Sequence, residues 1–115
     1  MRRLVLVPLL VVACRKPHHV VLEATADPHP ASCRFHVVAN SSRGPLADVT
    51  VEGRRWNSGD VPSDVGESFA VTVSVESSTP DPACDVGVSC RLLVDGVEKR
   101  AEIGARRVLC SQTVR

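Results

Sequence analysis

Alternation at every second residue constrains this chain more than any other feature. Phe69, Val71, Val73 and Val75 alternate with Ala70, Thr72, Ser74 and Glu76, and only an extended strand puts every other side chain on one face. The period recurs along the chain. Cys33, Phe35, Val37 and Ala39 alternate with Arg34, His36 and Val38, and Ala47, Val49 and Val51 alternate with Asp48, Thr50 and Glu52. Val86, Val88, Cys90, Leu92 and Val94 line one face of residues 86–94. Residues 19–25 read as a first strand, 97–103 as the partner of 86–94, and about 106–112 as the last. Asp95-Gly96 joins 86–94 to 97–103, and such a pair is a hairpin signal because both turn positions need positive φ. Pro28, Pro30, Pro45, Pro62, Pro80 and Pro82 fall between these segments, where a missing N–H does no harm. No segment carries a helical period. The expected fold is all-β: a small antiparallel two-sheet sandwich, immunoglobulin-like, of about seven strands, stapled by disulfides.

The staples matter because the core is light. Phe35, Phe69 and Trp56 are the only aromatic residues, and a chain this short buries only about two-thirds of its unfolded surface. Five cysteines are present, and an odd number in an exported chain needs a reason. The N-terminus supplies one. Met1-Arg2-Arg3 precedes an apolar run, 4–13, broken only by Pro8. A basic start and about ten apolar residues make a secretory signal, far short of the roughly 20 that span a bilayer. A core helix centred on a proline would be disrupted. The run ends Val11-Val12-Ala13-Cys14, which resembles the lipobox of bacterial lipoproteins, with valine where leucine is commoner. That resemblance implies a cleaved signal peptide (1–13), acyl chains on the thiol of Cys14, a lipidated tether (14–18) and a β-sandwich domain (19–115). The chain would then sit in the cell envelope, anchored to a membrane and facing its extracytoplasmic side.

With Cys14 acylated, Cys33, Cys84, Cys90 and Cys110 remain, and three pairings are possible. Strand parity turns Cys90 inward with Val88 and Leu92, and Cys110 inward with Val108. Two inward cysteines on neighbouring strands reach bonding distance, so Cys90 pairs with Cys110 and Cys33 is left for Cys84. An oxidising compartment permits both bridges. Zinc fails on spacing, because no close Cys-x-x-Cys or His-x-x-x-His pair is present.

The remaining chemistry is sparse. His18, His19, His29 and His36 read as surface residues, and adjacent histidines on a strand point to opposite faces. Asp60 and Asp64 flank Val61-Pro62-Ser63 and read as turn formers. Neither a nucleophile motif nor a phosphate-cradling glycine cluster occurs, so no catalytic residue, metal or cofactor is expected. Without Arg2 and Arg3, 12 basic residues face 13 acidic ones, a balance of −1. Such a domain has no electrostatic footprint for nucleic acid or for anionic lipid headgroups, so acyl chains, not charge, would hold it to a membrane. Arg54-Arg55-Trp56 is the one candidate partner contact, set against a packed tryptophan with two solvated arginines.

The segment Val88-Ser89-Cys90-Arg91-Leu92-Leu93-Val94-Asp95-Gly96-Val97-Glu98-Lys99, followed by Val108-Leu109-Cys110, resembles the C-terminal part of the small mycobacterial membrane proteins of the MmpS family. Arg55-Trp56-Asn57-Ser58 loosely echoes that family's Pro-Trp-Ser motif. The resemblance covers about a quarter of the chain. It implies an extracytoplasmic β-sandwich that assists a large transporter exporting lipids or siderophores, and it implies the same Cys90–Cys110 bridge. This chain departs from it in carrying a lipobox instead of a transmembrane helix, in its few aromatics, and in the Cys33/Cys84 pair. The expected function is a non-enzymatic, membrane-tethered accessory or binding module. The alternative is a ligand-binding or inhibitor lipoprotein unrelated to transport.

Overall fold

The alternating segments become strands that pair antiparallel in two facing sheets. The computed structural model describes residues 17–26, 33–76 and 87–115. Among them the strands are β1 (His18–Ala26), β2 (Arg34–Ser41), β3 (Gly44–Val51), β4 (Arg55–Asn57), β5 (Val61–Ser63), β6 (Ser68–Glu76), β7 (Gly87–Val94), β8 (Val97–Ala105) and β9 (Arg107–Thr113). The first sheet has the order β4-β1-β7-β8, with β5 also paired to β1, and the second has the order β3-β2-β6-β9. The two-sheet antiparallel sandwich expected from alternation is therefore the fold.

Seven long strands match the expected segments, and two short ones were not foreseen. Both lie along one edge of β1: Thr25 faces Arg55 in β4, and His18 faces Ser63 in β5. Three residues are too few to show a period. Ser58 spans the break between them, its N–H donating to the Leu22 carbonyl at 2.9 Å and its hydroxyl accepting from the Leu22 N–H at 3.0 Å. Pro45 and Pro62, expected between strands, lie within β3 and β5, where they are tolerated because both strands are at a sheet edge. The sheet also takes in His18, one residue inside the expected tether.

The core is the sum of the inward faces. Val20, Leu22, Ala24 and Ala26 of β1 and Val88, Cys90, Leu92 and Val94 of β7 meet Phe35, Val37 and Ala39 of β2 and Phe69, Val71 and Val73 of β6. Val108, Cys110 and Val114 complete it. Cys90 and Cys110 are joined, with Cα atoms 6.0 Å apart. The pairing is the expected one, but its place is different. Cys90 lies in the first sheet and Cys110 in the second, so the bridge crosses the core instead of linking neighbours in one sheet. Cys33 is buried and disulfide-bonded. Its assigned partner Cys84 lies outside the described residues, as does Cys14.

The hairpin signal takes the conformation it requires, with φ of 52° at Asp95 and 80° at Gly96. At the far end of β8 the chain turns into β9 through Arg106, at φ 66°. Here β8 passes so close to β9 that a Cβ on Gly104 would lie 2.4 Å from the Arg107 carbonyl oxygen. Backbone cannot swing aside as a side chain can. Gly104→Ala is expected to cost about 1–3 kcal/mol, as overpacking does, measured by urea denaturation. An unchanged midpoint would mean that the corner opens freely.

The connections sort to two ends. At one end lie the start of β1, the 95–96 turn, the 42–43 turn, the 64–67 loop and the last residues. Register and hydrogen bonds join them: His18 faces Ser63, the Ser42 N–H donates to the Ser68 carbonyl, and the Gly66 N–H donates to that of Val114. At the other end β1 finishes, β2 begins and the 52–54 bend lies, tied by the Ala26 N–H donating to the Arg54 carbonyl at 2.9 Å.

Candidate functional site

Residues that alternation turns outward on the second sheet meet in rows across β2, β6 and β9. Asn40 faces Ala70, which faces Ser111, and one step towards the end where β1 begins Ser68 faces Thr113. Ser42 joins this second row, its hydroxyl accepting from the Ser68 N–H at 3.2 Å. The hydroxyls of Ser68 and Thr113 are 3.0 Å apart. Small side chains in two adjacent rows leave a basin with Ala70 among them, part of a cleft of about 470 Å³. Two guanidiniums, of Arg100 from β8 and of Arg115, also line it, and no carboxylate side chain does. Both arginines are exposed, and neither has an ion-pair partner among the described residues.

Arg54-Arg55-Trp56 is divided by the strand it enters. Trp56 faces Ala24, on the inward side of β1, and is half-buried against the core. Arg55 faces Thr25 and points outward, and Arg54 is exposed in the bend. The indole and the Arg55 side chain thus leave this edge strand on opposite sides, although Arg55 and Trp56 border one cleft. A second cleft, of about 400 Å³, runs past Arg55, Asn57, Glu23 and Arg91. Of its two guanidiniums, that of Arg91 is engaged: Nε lies 2.9 Å from Glu98 and 3.5 Å from Glu23.

His19 is exposed as expected, whereas His18 and His36 are more tied than free surface residues would be. His36 Nε2 lies 2.6 Å from Asp48, and its Nδ1 lies 3.4 Å from Glu76 and 3.3 Å from the Thr50 hydroxyl. His29 lies outside the described residues. Among the described residues no three of His, Cys, Asp and Glu converge as a metal-ligand set. Asp60 and Asp64 bracket strand β5. Asp64 accepts from Arg43 at 3.2 Å, and the same guanidinium lies 2.6 Å from Glu67, tying the 42–43 turn to the 64–67 loop.

His18 meets the hairpin turn. Its Nδ1 lies 2.6 Å from Asp95 Oδ2, while Asp95 Oδ1 accepts from the His19 N–H at 2.9 Å. The Asp95 N–H in turn donates to the His19 carbonyl at 2.8 Å. The turn thus clasps the chain where it enters the domain. The hydrogen bond from His18, then that from the His19 N–H, hold the Asp95 carboxyl below the usual carboxylate range. A carboxyl depressed on folding adds stability above its unfolded value and loses it as pH falls through its folded value. Asp95→Asn keeps a residue suited to the turn but removes the charge. It is expected to flatten the acid limb of the stability–pH curve below the usual carboxylate range, read by thermal unfolding at stepped pH. An identical acid limb would show that the clasp carries no charge dependence.

No family model matches the chain, and a search of curated proteins finds no match either.

The cleft on the second sheet was not read from the sequence. Its members are scattered over 40–42, 68–70, 100 and 111–115. Alternation turns several of them outward, but nothing local says that β6 lies between β2 and β9.

Proposed function

We propose that this chain is an exported lipoprotein whose sandwich is held on the extracytoplasmic side of a membrane by acyl chains on Cys14, where it serves as a non-enzymatic accessory or binding module. The distribution of thiols carries this reading. Cys90 and Cys110 are bonded through the core, and Cys33 is oxidised as well, a state suited to an oxidising compartment. Cys14, the one thiol outside the domain, directly follows a basic and apolar leader that ends in alanine. The Asp95 clasp on His18 and His19 adds support, because a tether needs a firm root. A large membrane transporter exporting lipids or siderophores is the partner implied by the resemblance of 88–110. A second reading, a lipoprotein that binds a small ligand apart from any transporter, is favoured by the arginine-lined cleft.

Mass spectrometry of the protein extracted from its native membranes tests the anchor. The expected mass is that of a chain beginning at an acylated Cys14 with its remaining cysteines oxidised. Cys14→Ser is expected to release the protein from the anchored pool, since acyl chains supply the membrane affinity. An intact Met1 start with reduced thiols sinks the proposal. Co-purification with a multi-spanning transporter from mild detergent favours the accessory role, and recovery of the lipoprotein alone favours the second reading.

A further inference from the structure

The cleft and the root of the tether lie at the same end of the sandwich. Ser68 and Thr113 close β6 and β9 at that end, where β1 also begins. From Cys14 to His18 the chain advances four residues, which span at most about 14 Å when extended. A domain rooted so closely holds that end near the membrane surface. What the cleft presents there is specific: two guanidiniums without an ion-pair partner among the described residues, hydroxyls on Ser68, Thr113 and Ser111, and no carboxylate side chain among the described lining residues. A guanidinium donates two parallel hydrogen bonds to a phosphate. Serine and threonine hydroxyls both donate and accept, which suits the phosphate and a hydroxyl-bearing headgroup beside it. The volume, about 470 Å³, is within the range of small-molecule sites.

We propose that this cleft binds the phosphate-bearing headgroup of a phospholipid in the anchoring membrane, with Arg100 and Arg115 on the phosphate and Ser68 and Thr113 beside it. The membrane as the source of the ligand rests on the anchor proposed above; the chemistry of the cleft does not. Bound in this way, a headgroup would dock the domain against the bilayer surface, where the tether alone would leave it free to pivot.

The test uses oxidised full-length protein carrying Cys14→Ser, so that no acyl chain contributes. It is titrated with dihexanoyl phosphatidylglycerol below its micelle concentration, with glycerol 3-phosphate and with inorganic phosphate, and followed by nitrogen-15 NMR of arginine side chains. The expected result is saturable shifts at Arg100 and Arg115 with the short-chain lipid. The variant Arg100→Gln/Arg115→Gln should bind on the order of tenfold to a hundredfold more weakly, as loss of charge-assisted hydrogen bonds implies. Its melting temperature should be unchanged, because both side chains are exposed. Equal affinity for inorganic phosphate or glycerol 3-phosphate would overturn the headgroup and leave a soluble phosphate ligand. Shifts absent at both arginines with every probe would overturn the site. Acylation is read separately on the native membrane form: an acylated Cys14 with no binding sinks only the cleft, and an unmodified Cys14 with lipid binding sinks only the anchor.

Discussion

Phe35→Ala is expected to leave the domain largely unfolded at 37 °C. Phe35 is fully buried in β2 and faces Val51 of β3 and Val75 of β6 across the second sheet. Truncating a buried phenylalanine costs about 3–5 kcal/mol, from lost transfer energy and from the cavity left behind. Most single domains have only about 5–15 kcal/mol in total. A core of valine, leucine and alanine has few long side chains that can swing into the gap, so the upper part of the range applies. Phe35→Leu keeps most of the volume and should cost less than about 1.5 kcal/mol. Urea denaturation of both variants checks the pair, and equal midpoints would show that the core collapses around the void.

Removing the bridge through the core comes next in size. Cys90→Ala/Cys110→Ala opens a loop of sequence separation 20, and the chain-entropy model assigns such a closure about 3 kcal/mol. Alanine is the right replacement because both positions are buried, and serine would bury a hydroxyl without a partner. The expected result is a lowered urea midpoint with strand content retained in dilute buffer. Reducing the unmutated protein should have a larger effect, because Cys33 is oxidised too. A double variant as stable as the parent would mean that the bridge constrains nothing the sheets do not already hold.

The two variants probe opposite kinds of information. Phe35 was placed in the core by period alone: it shares parity with Val37 and Ala39, and all three are buried. The bridge was half legible. Parity turns both cysteines inward, and two inward thiols in an oxidised domain find one another. Parity cannot say whether they meet side by side in one sheet or face to face between two, since either arrangement turns both thiols inward. Trp56 shows the same limit. Alternation turns it to one side and Arg55 to the other, but β4 is three residues long and has no period of its own. Only its pairing with Glu23–Thr25 decides which side is the core.

What the residues by themselves determined is everything set by chain-local geometry: an all-β chain, the inward faces of its long strands, the Asp95-Gly96 turn and the Cys90–Cys110 pairing. A strand's two-residue period and a turn's dihedrals are properties of a few consecutive residues. Beyond the hairpin that Asp95-Gly96 closes, the tertiary structure alone decided which strands are neighbours. That choice put β6 between β2 and β9, so that Asn40, Ala70 and Ser111 share a row, and it brought Arg100 and Arg115 to one cleft at the end where β1 begins. Neighbours in a sheet are chosen by long-range packing of whole faces, and residues far apart in the chain carry no local sign that they will meet.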